Sequence, residues 1–168
     1  MSDAATDAEG LAAQLASTEL EPRRAAAERL ARMGEEAAPA AAALVRACGD
    51  ADDQVREQVV AALEDLGPPP TSAVATLVGL IDHANPLVAY WATTLLGRSG
   101  EDAASAAPAL TKCLDSVVDL AVRQRAAWAL GKIGPAAATA RDALVRASGQ
   151  TDERLARLAS EALAAIGG

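Results

Sequence analysis

The stretch RQRAAWALGKIG at residues 123–134 decides the fold of this chain, because four other stretches follow the same pattern. Each stretch ends in a glycine, and a leucine stands four residues before that glycine. The glycines recur every 33 or 34 residues, at Gly34, Gly67, Gly100, Gly134 and Gly167. The leucines recur with them, at Leu30, Leu63, Leu96, Leu130 and Leu163. These offsets fall on one face of a helix, so the pattern predicts five copies of an amphipathic helix.

An earlier helix is predicted in each copy. Its marker leucines are Leu11, Leu44, Leu77, Leu110 and Leu144. Turn signals such as Gly49-Asp50 and Asn85-Pro86 separate the two helices of a copy, and an Asp or Asn before a helix supplies an N-cap oxygen. One helix pair cannot bury its apolar stripe alone, so neighbouring pairs must stack. We therefore predict an all-α array of about five helix pairs over residues 1–168, with units at about 8–34, 35–67, 68–100, 101–134 and 135–167.

Composition supports a helical chain and argues against nucleic acid as a partner. The 168 residues include 45 alanines and no phenylalanine, and aromatic residues make up 2%. Such a chain is expected to pack helices closely through small side chains. The net charge is −8, with 15 acids and 6 bases in residues 1–84 and 8 acids and 9 bases in residues 85–168. Binding to phosphates requires a basic face, so we expect no nucleic acid.

The sequence contains no feature that predicts export or membrane insertion. Residues 1–10 are acidic and lack the basic start and apolar run of a signal peptide. No window approaches 18 uncharged apolar residues, and two cysteines set no disulfide framework. We therefore expect a cytoplasmic protein that has no membrane partner.

Two copies identify the kind of repeat. DDQVR at residues 52–56 and DLAVR at residues 119–123 each place an acid, two residues and then Val-Arg before a helix of small residues. This pattern resembles the HEAT repeats, specifically the short HEAT-like repeats of phycobilisome lyases, over about residues 8–167. The resemblance implies a right-handed α-solenoid whose second helices line a concave groove. It also implies an acid–arginine ladder between repeats, formed here by Asp52, Arg56, Asp119 and Arg123.

Enzymatic function is not expected from these residues. HEAT-like deoxyhypusine hydroxylases hold two irons with paired His-Glu motifs, whereas this chain has one histidine, His83. We interpret His83 as a helix C-terminal residue that interacts with the end carbonyls. Cys48 and Cys113 lie among apolar residues, which favours buried structural thiols over nucleophiles. We predict no cofactor, no metal and no catalysis; a lyase-like subunit that acts on a chromophore-carrying or modified partner is the alternative.

Helical angles select the residues of the second helices that point into the groove. The groove is charged in units one, two and five, and uncharged in units three and four, where Gly97 and Gly131 leave room. An exposed aromatic pair in such a patch is typical of a recognition surface. We therefore predict a non-enzymatic module that docks a protein or peptide segment there. The predicted binding residues are Leu87, Tyr90, Trp91, Thr94, Gln124 and Trp128. For both Trp91 and Trp128, packing between helices is the alternative, and for Trp91 it is the favoured one.

The last helix predicts a second contact surface. It carries Leu155, Leu158, Ala162 and Ala165, and no polar capping helix follows it in the sequence. An apolar outer face on a terminal repeat favours association, so weak self-association through this helix is predicted. The alternative is that Leu158 packs within the array.

Overall fold

A computed structural model describes residues 3–116 and 119–167, and over these residues it contains ten α-helices and no strand. The helices are α1 Asp3–Leu15, α2 Leu20–Met33, α3 Ala41–Ala47, α4 Asp53–Asp65, α5 Val74–Val78, α6 Pro86–Arg98, α7 Ala107–Asp115, α8 Leu120–Ile133, α9 Arg141–Ser148 and α10 Glu153–Ile166. The prediction of an all-α protein is confirmed. In the part of the chain described, no helix has the length and apolar character needed to cross a membrane.

Four of the second helices begin where the sequence predicts them. The side chains of Asp52, Asn85, Asp119 and Asp152 each accept a hydrogen bond from a backbone N–H two or three residues further on. These bonds satisfy amides that the first helical turn leaves without a partner. The matched residue in the first copy, Glu19, makes no such bond at the start of α2.

The first helices of the second to fifth copies, α3, α5, α7 and α9, are entered through 3-10 helices, which the sequence pattern does not predict. These segments are Gly34–Ala40, Thr71–Ala73, Gly100–Ala106 and Gly134–Ala140. Gly34, Gly100 and Gly134 have φ angles of 55°, 56° and 70°. L-residues rarely adopt this backbone conformation, so glycine lets the chain turn from a second helix into the next copy without a loop.

The helices cluster into two compact units, Met1–Ala73 and Val74–Gly168. In the N-terminal unit, α2 packs against α1 and α4, and α3 packs against α4. In the C-terminal unit, α8 lies between α6 and α10, with α7 and α9 behind them. The boundary falls inside the predicted third copy, after three prolines at 68–70. The single array of five pairs stays a prediction.

The register leucines form much of the core within these units. The first four are fully buried, whereas the last is half-buried: Leu30, Leu63, Leu96 and Leu130 against Leu163. The same residue type at the same helical position therefore has two different environments.

The ladder between repeats exists, but its rungs differ from those that the resemblance implies. Arg23 bonds Asp50 at 2.7 Å, and Arg24 bonds Asp52 at 2.7 Å. In the C-terminal unit, Arg123 donates to Gln150 at 2.7 Å. Each partner lies 27 or 28 residues further on, in the turn or N-cap that starts the second helix of the next copy.

The predicted ladder of Asp52, Arg56, Asp119 and Arg123 is therefore wrong in its pairing. Arg56 donates to the backbone carbonyl of Asp50 and to Asp53, which belong to its own repeat. A residue one turn into a second helix reaches back to its own N-terminal turn or across to the next copy. Only the packing of the copies decides which of these two contacts forms.

The Arg24–Asp52 rung predicts a pH dependence of stability. The hydrogen bond from Arg24 lowers the pKa of Asp52 to about 2, against about 3.9 in an unfolded chain. The ionised Asp52 carboxylate therefore adds its full contribution to the free energy of unfolding above about pH 4, and this contribution is lost as the pH falls towards 2. In wild type, the urea concentration at the midpoint of unfolding should fall as the pH is lowered from about 4 to about 2. We expect this fall to be smaller in Arg24→Ala. Arg32→Ala, which removes an exposed pair with Glu28, serves as the control. An unchanged pH profile for Arg24→Ala would contradict the assignment.

Candidate functional site

A cluster of two aromatic rings and one guanidinium lies between α6 and α8 of the C-terminal unit. Arg125 donates two hydrogen bonds to the Tyr90 hydroxyl, at 2.8 Å from Nε and 2.5 Å from a terminal nitrogen. Its guanidinium carbon lies 4.9 Å from the centre of the Tyr90 ring and 5.3 Å from that of Trp128. Cation–π contacts at these distances are attractive, so Arg125 holds both rings in place.

This cluster replaces a rung of the ladder. Tyr90 occupies the helical position of Arg24 and Gln124, counted from the closing glycine of each copy. Arg24 and Gln124 donate to aspartates of the following copy. Tyr90 instead accepts, and the arginine comes from the following copy. Arg125 is thus bonded to a hydroxyl group, which leaves its positive charge in place. In the N-terminal unit, by contrast, the charge of Arg24 is neutralised by the carboxylate of Asp52.

Trp128 is seated on the backbone of α6. A methyl group built on Gly97 would overlap the Trp128 indole, and it would also lie 3.1 Å from the Cα atom of Ala129. The space that Gly97 leaves is therefore filled by Trp128 and is not open for a partner, contrary to the sequence prediction. Gly131 has a similar role, because a methyl group there would lie 3.1 Å from the Cα atom of Ala162 on α10.

Two clefts flank Trp128 along the α8–α10 face. The basic cleft has a volume of about 280 Å³ and is lined by Tyr90, Ala121, Gln124, Arg125, Trp128, Arg154, Arg157 and Leu158. The alanine cleft has a volume of about 210 Å³ and is lined by Trp128, Gly131, Lys132, Leu158, Glu161, Ala162 and Ala165. Trp128 and Leu158 belong to both linings, so they form the ridge between the two clefts.

The basic cleft has three arginines and no carboxylate in its lining. Arg154 and Arg157 are exposed on α10, and Arg157 bonds Glu161 of the alanine cleft at 2.7 Å. Lys132 adds a fourth cation, since its ammonium nitrogen lies 5.9 Å from the centre of the Trp128 ring. Positive charge and aromatic surface therefore coincide on a chain whose net charge is −8.

The structure separates the six predicted binding residues into two groups. Leu87 is 36% exposed, and Tyr90 and Trp128 are half-buried, as a docking surface requires. Trp91, Thr94 and Gln124 are only 6%, 3% and 9% exposed. Binding by Tyr90, Trp128 and Leu87 stays a prediction.

The other three predicted residues are largely buried and support the site through contacts with its neighbours. Trp91 packs edge-on against Tyr90, with ring centres 5.7 Å apart. The Thr94 hydroxyl donates to the Tyr90 carbonyl at 2.8 Å, and Gln124 donates to Asp152 at 3.0 Å. Trp91 therefore packs between helices, which was the alternative for this residue, and Thr94 is also covered by its neighbours. Binding by either residue stays a prediction, because helical angle alone does not show which neighbour covers a side chain. Gln124 is 9% exposed and lines the basic cleft, so binding by this residue stays a prediction.

Most of the apolar face predicted on α10 is also absent from the surface. Leu155, Leu158 and Ala162 are 0%, 9% and 1% exposed, and only Ala165 of the four predicted residues is exposed. Leu158 packs within the C-terminal unit, which was the alternative for this residue. Self-association through these three residues loses its basis. The sequence prediction missed Arg154 and Arg157 as site residues, although their position opposite the apolar stripe of α10 was a usable signal.

The cysteines and the histidine lie outside the two clefts. Cys48 and Cys113 are free and fully buried, as predicted for structural thiols. Burial raises the pKa of the Cys48 thiol to about 12 and that of Cys113 to about 11. His83 is exposed after α5, and its Nδ1 atom accepts from the Asn85 N–H, so it does not bind helix-end carbonyls as predicted. Among the residues described, no three His, Cys, Asp or Glu side chains group as metal ligands.

The fold is that of a helical repeat protein. A family model described as HEAT repeats matches residues 41–121, and one described as the PBS lyase HEAT-like repeat matches residues 122–149. The chain belongs to the HEAT-repeat family and carries HEAT-like repeats of the phycobilisome-lyase type. No match was found among curated proteins.

Solved structures of similar fold are helical repeat solenoids. The complex of CpcE and CpcF of phycocyanin lyase from Nostoc sp. PCC7120 is 25% identical with a TM-score of 0.68, over 95% of this chain and 64% of that chain. An engineered protein is 26% identical with a TM-score of 0.64, over 95% and 79%. A designed armadillo repeat protein in complex with the peptide (KR)4 is 20% identical with a TM-score of 0.68, over 93% and 80%. This chain thus has the α-solenoid fold class.

Proposed function

We propose that this protein is a protein-binding module that docks an extended segment of a partner polypeptide along the α8–α10 face of its C-terminal unit. One observation carries the proposal: two half-buried aromatic rings, Tyr90 and Trp128, are held by Arg125 on a surface that has a cleft on each side of Trp128. Large aromatic side chains that are partly exposed and flanked by clefts are preferred anchors at protein interfaces.

The anchors are held in place before any partner binds. The Arg125 hydrogen bonds to Tyr90 restrain its hydroxyl, and the close approach of α6 at Gly97 restrains the Trp128 indole. A side chain that is already ordered loses little conformational entropy on binding, so more of its contact energy appears as affinity. The buried Trp91 and Thr94 also restrain Tyr90, Trp91 through an edge-on ring contact and Thr94 through a hydrogen bond to the Tyr90 carbonyl.

The similar structures support a polypeptide as the ligand. The designed armadillo protein was solved with a bound peptide, and CpcE was solved in complex with CpcF. We propose a binding role without catalysis. The Cys48 and Cys113 thiols are buried with raised pKa values, and neither lies in the two clefts.

A lyase-like subunit is the second candidate, because the phycocyanin lyase complex is 25% identical over 95% of this chain. Such a subunit would act on a chromophore-carrying partner. Purification from its native cell followed by a visible absorbance spectrum separates the two candidates. A pigment that co-purifies in stoichiometric amount would favour the lyase-like role, and a colourless protein would favour the binding module.

Selection from a random peptide display library tests the binding role without a known partner. We expect peptides that bind the wild type, with Trp128→Ala weakening a selected peptide about thirtyfold, which corresponds to about 2 kcal/mol for an anchor of this kind. Leu120→Ala is the matched control, because Leu120 is 42% exposed on the same helix but lines neither cleft. Circular dichroism checks that each variant is folded. Peptides that bind both variants equally well would refute the proposed site.

A further inference from the structure

We infer that the segment docked on the α8–α10 face is acidic: it places one or more Asp or Glu side chains in the basic cleft and a large apolar side chain in the alanine cleft. This inference rests on the proposed function and adds the chemistry of the ligand. It follows from the charges and the shapes of the two clefts.

The basic cleft is the place for carboxylates. Arg125, Arg154 and Arg157 line it and no acid does. Arg125 is held by the neutral Tyr90 hydroxyl, so its charge is not neutralised within the rung. A guanidinium can bind a carboxylate through two parallel hydrogen bonds, which favours Asp or Glu over a neutral polar residue. A basic segment such as (KR)4 would be repelled by Arg125 and Arg154, whereas the Arg157 charge is already paired with Glu161.

The alanine cleft selects for a different side chain. Gly131, Ala162 and Ala165 contribute almost no side-chain volume, so they leave space beside the apolar surfaces of Trp128 and Leu158, with Lys132 and Glu161 completing the lining. Its volume of about 210 Å³ accommodates one large apolar side chain. Burying such a side chain against an indole ring contributes affinity without charge.

The distance between the clefts sets the spacing of the motif. Residues 124 and 125 mark the basic cleft on α8, and residues 131 and 132 mark the alanine cleft. Seven residues of helix rise by about 10 Å. An extended peptide covers this length in about three residues. The expected motif is therefore an acid and a Leu, Ile, Phe or Met about three residues apart, with the intervening backbone crossing Trp128.

Single-stranded nucleic acid is the competing ligand, because cations beside aromatic rings also suit phosphates and stacked bases. The net charge of −8 opposes it, and so does Glu161 in the alanine cleft, where a phosphate backbone would have to continue. A peptide can leave an uncharged residue beside Glu161, whereas a nucleic acid carries a charge at every nucleotide. We therefore favour the acidic peptide.

The test uses peptides selected on the full chain from a random display library. We expect enrichment of Asp and Glu about three residues from a large apolar residue, and binding that weakens as salt concentration rises. In fluorescence anisotropy with a selected, labelled peptide, Arg154→Gln and Arg157→Gln should each weaken binding about three- to tenfold. Arg146→Gln, an exposed arginine of the same unit that pairs with Asp115 on α7 outside both clefts, should leave it unchanged.

The outcomes distinguish this inference from the proposed function. Selected peptides that depend on Trp128 but lack acidic residues, or that bind Arg154→Gln as tightly as wild type, would overturn the acidic ligand and leave the docking face intact. Tighter binding of an oligo(dT) probe than of any selected peptide would also overturn it, in favour of nucleic acid. If no selected peptide depends on Trp128, the proposed function itself fails.

Discussion

Leu130→Ala is expected to lower the free energy of unfolding by about 2–5 kcal/mol, the range for removing a fully buried leucine. Leu130 is 0% exposed on α8, the helix that packs against both α6 and α10. The substitution removes three carbon atoms and leaves a cavity that these neighbours cannot easily fill, because helices so rich in alanine are already close together. Urea denaturation followed by far-UV circular dichroism measures the loss.

Leu163→Ala provides the matched comparison for this experiment. Leu163 stands at the same helical position four residues before a closing glycine, but it is half-buried. Solvent already reaches its side chain, so we expect a loss of about 1 kcal/mol, below the value for full burial. Equal losses for the two variants would show that the repeat register alone, and not the burial of each leucine, sets the energy.

Gly97→Ala is expected to lower the free energy of unfolding by about 1–3 kcal/mol, although alanine is the better helix former. The new methyl group would overlap the Trp128 indole and lie 3.1 Å from the Cα atom of Ala129. Either the Trp128 indole must move away from Gly97 or α6 and α8 must separate. We therefore also expect Trp128 to become more accessible, and the affinity for any peptide selected on this face to fall.

Fluorescence and a second glycine provide the readout and the control. In a Trp91→Phe background, emission reports Trp128 alone, and acrylamide should quench it more strongly in Gly97→Ala. Gly10→Ala is the control, because a methyl group at Gly10 in α1 meets nothing within 4 Å. It should raise stability by about 0.5–1 kcal/mol. If Gly97→Ala is as stable as wild type and its quenching is unchanged, the Trp128 indole does not pack against α6 at Gly97.

Much of the fold was predictable because it is repeated. A glycine and a leucine that recur every 33 or 34 residues define five second helices, and the N-cap residues Asp52, Asn85, Asp119 and Asp152 mark where four of them begin. These signals act within one or two turns of helix, so they can be read without knowing what packs against them. The 3-10 entries were missed, since their alanines have the composition of ordinary helix.

The site was predicted only in part, because exposure depends on neighbours. Helical angle placed Tyr90 and Trp128 on the surface, and the structure leaves both half-buried. The same angle placed Thr94 on the surface, where it is 3% exposed. Arg154 and Arg157 belong to a copy whose groove positions were interpreted as charged rim, so they were not joined to the aromatic pair.

The sequence by itself determined that this chain forms helix pairs of the HEAT type, because the periodic leucines of every copy, and the capping side chains and positive-φ glycines of most copies, act locally. Tertiary structure alone decided the pairing of charges and the shape of the site. Arg24 reaches Asp52, 28 residues further on, and Arg125 reaches Tyr90, 35 residues back. Contacts of that span depend on how closely two helices approach. At Gly97 that approach is set by a glycine on one helix and an indole on the next.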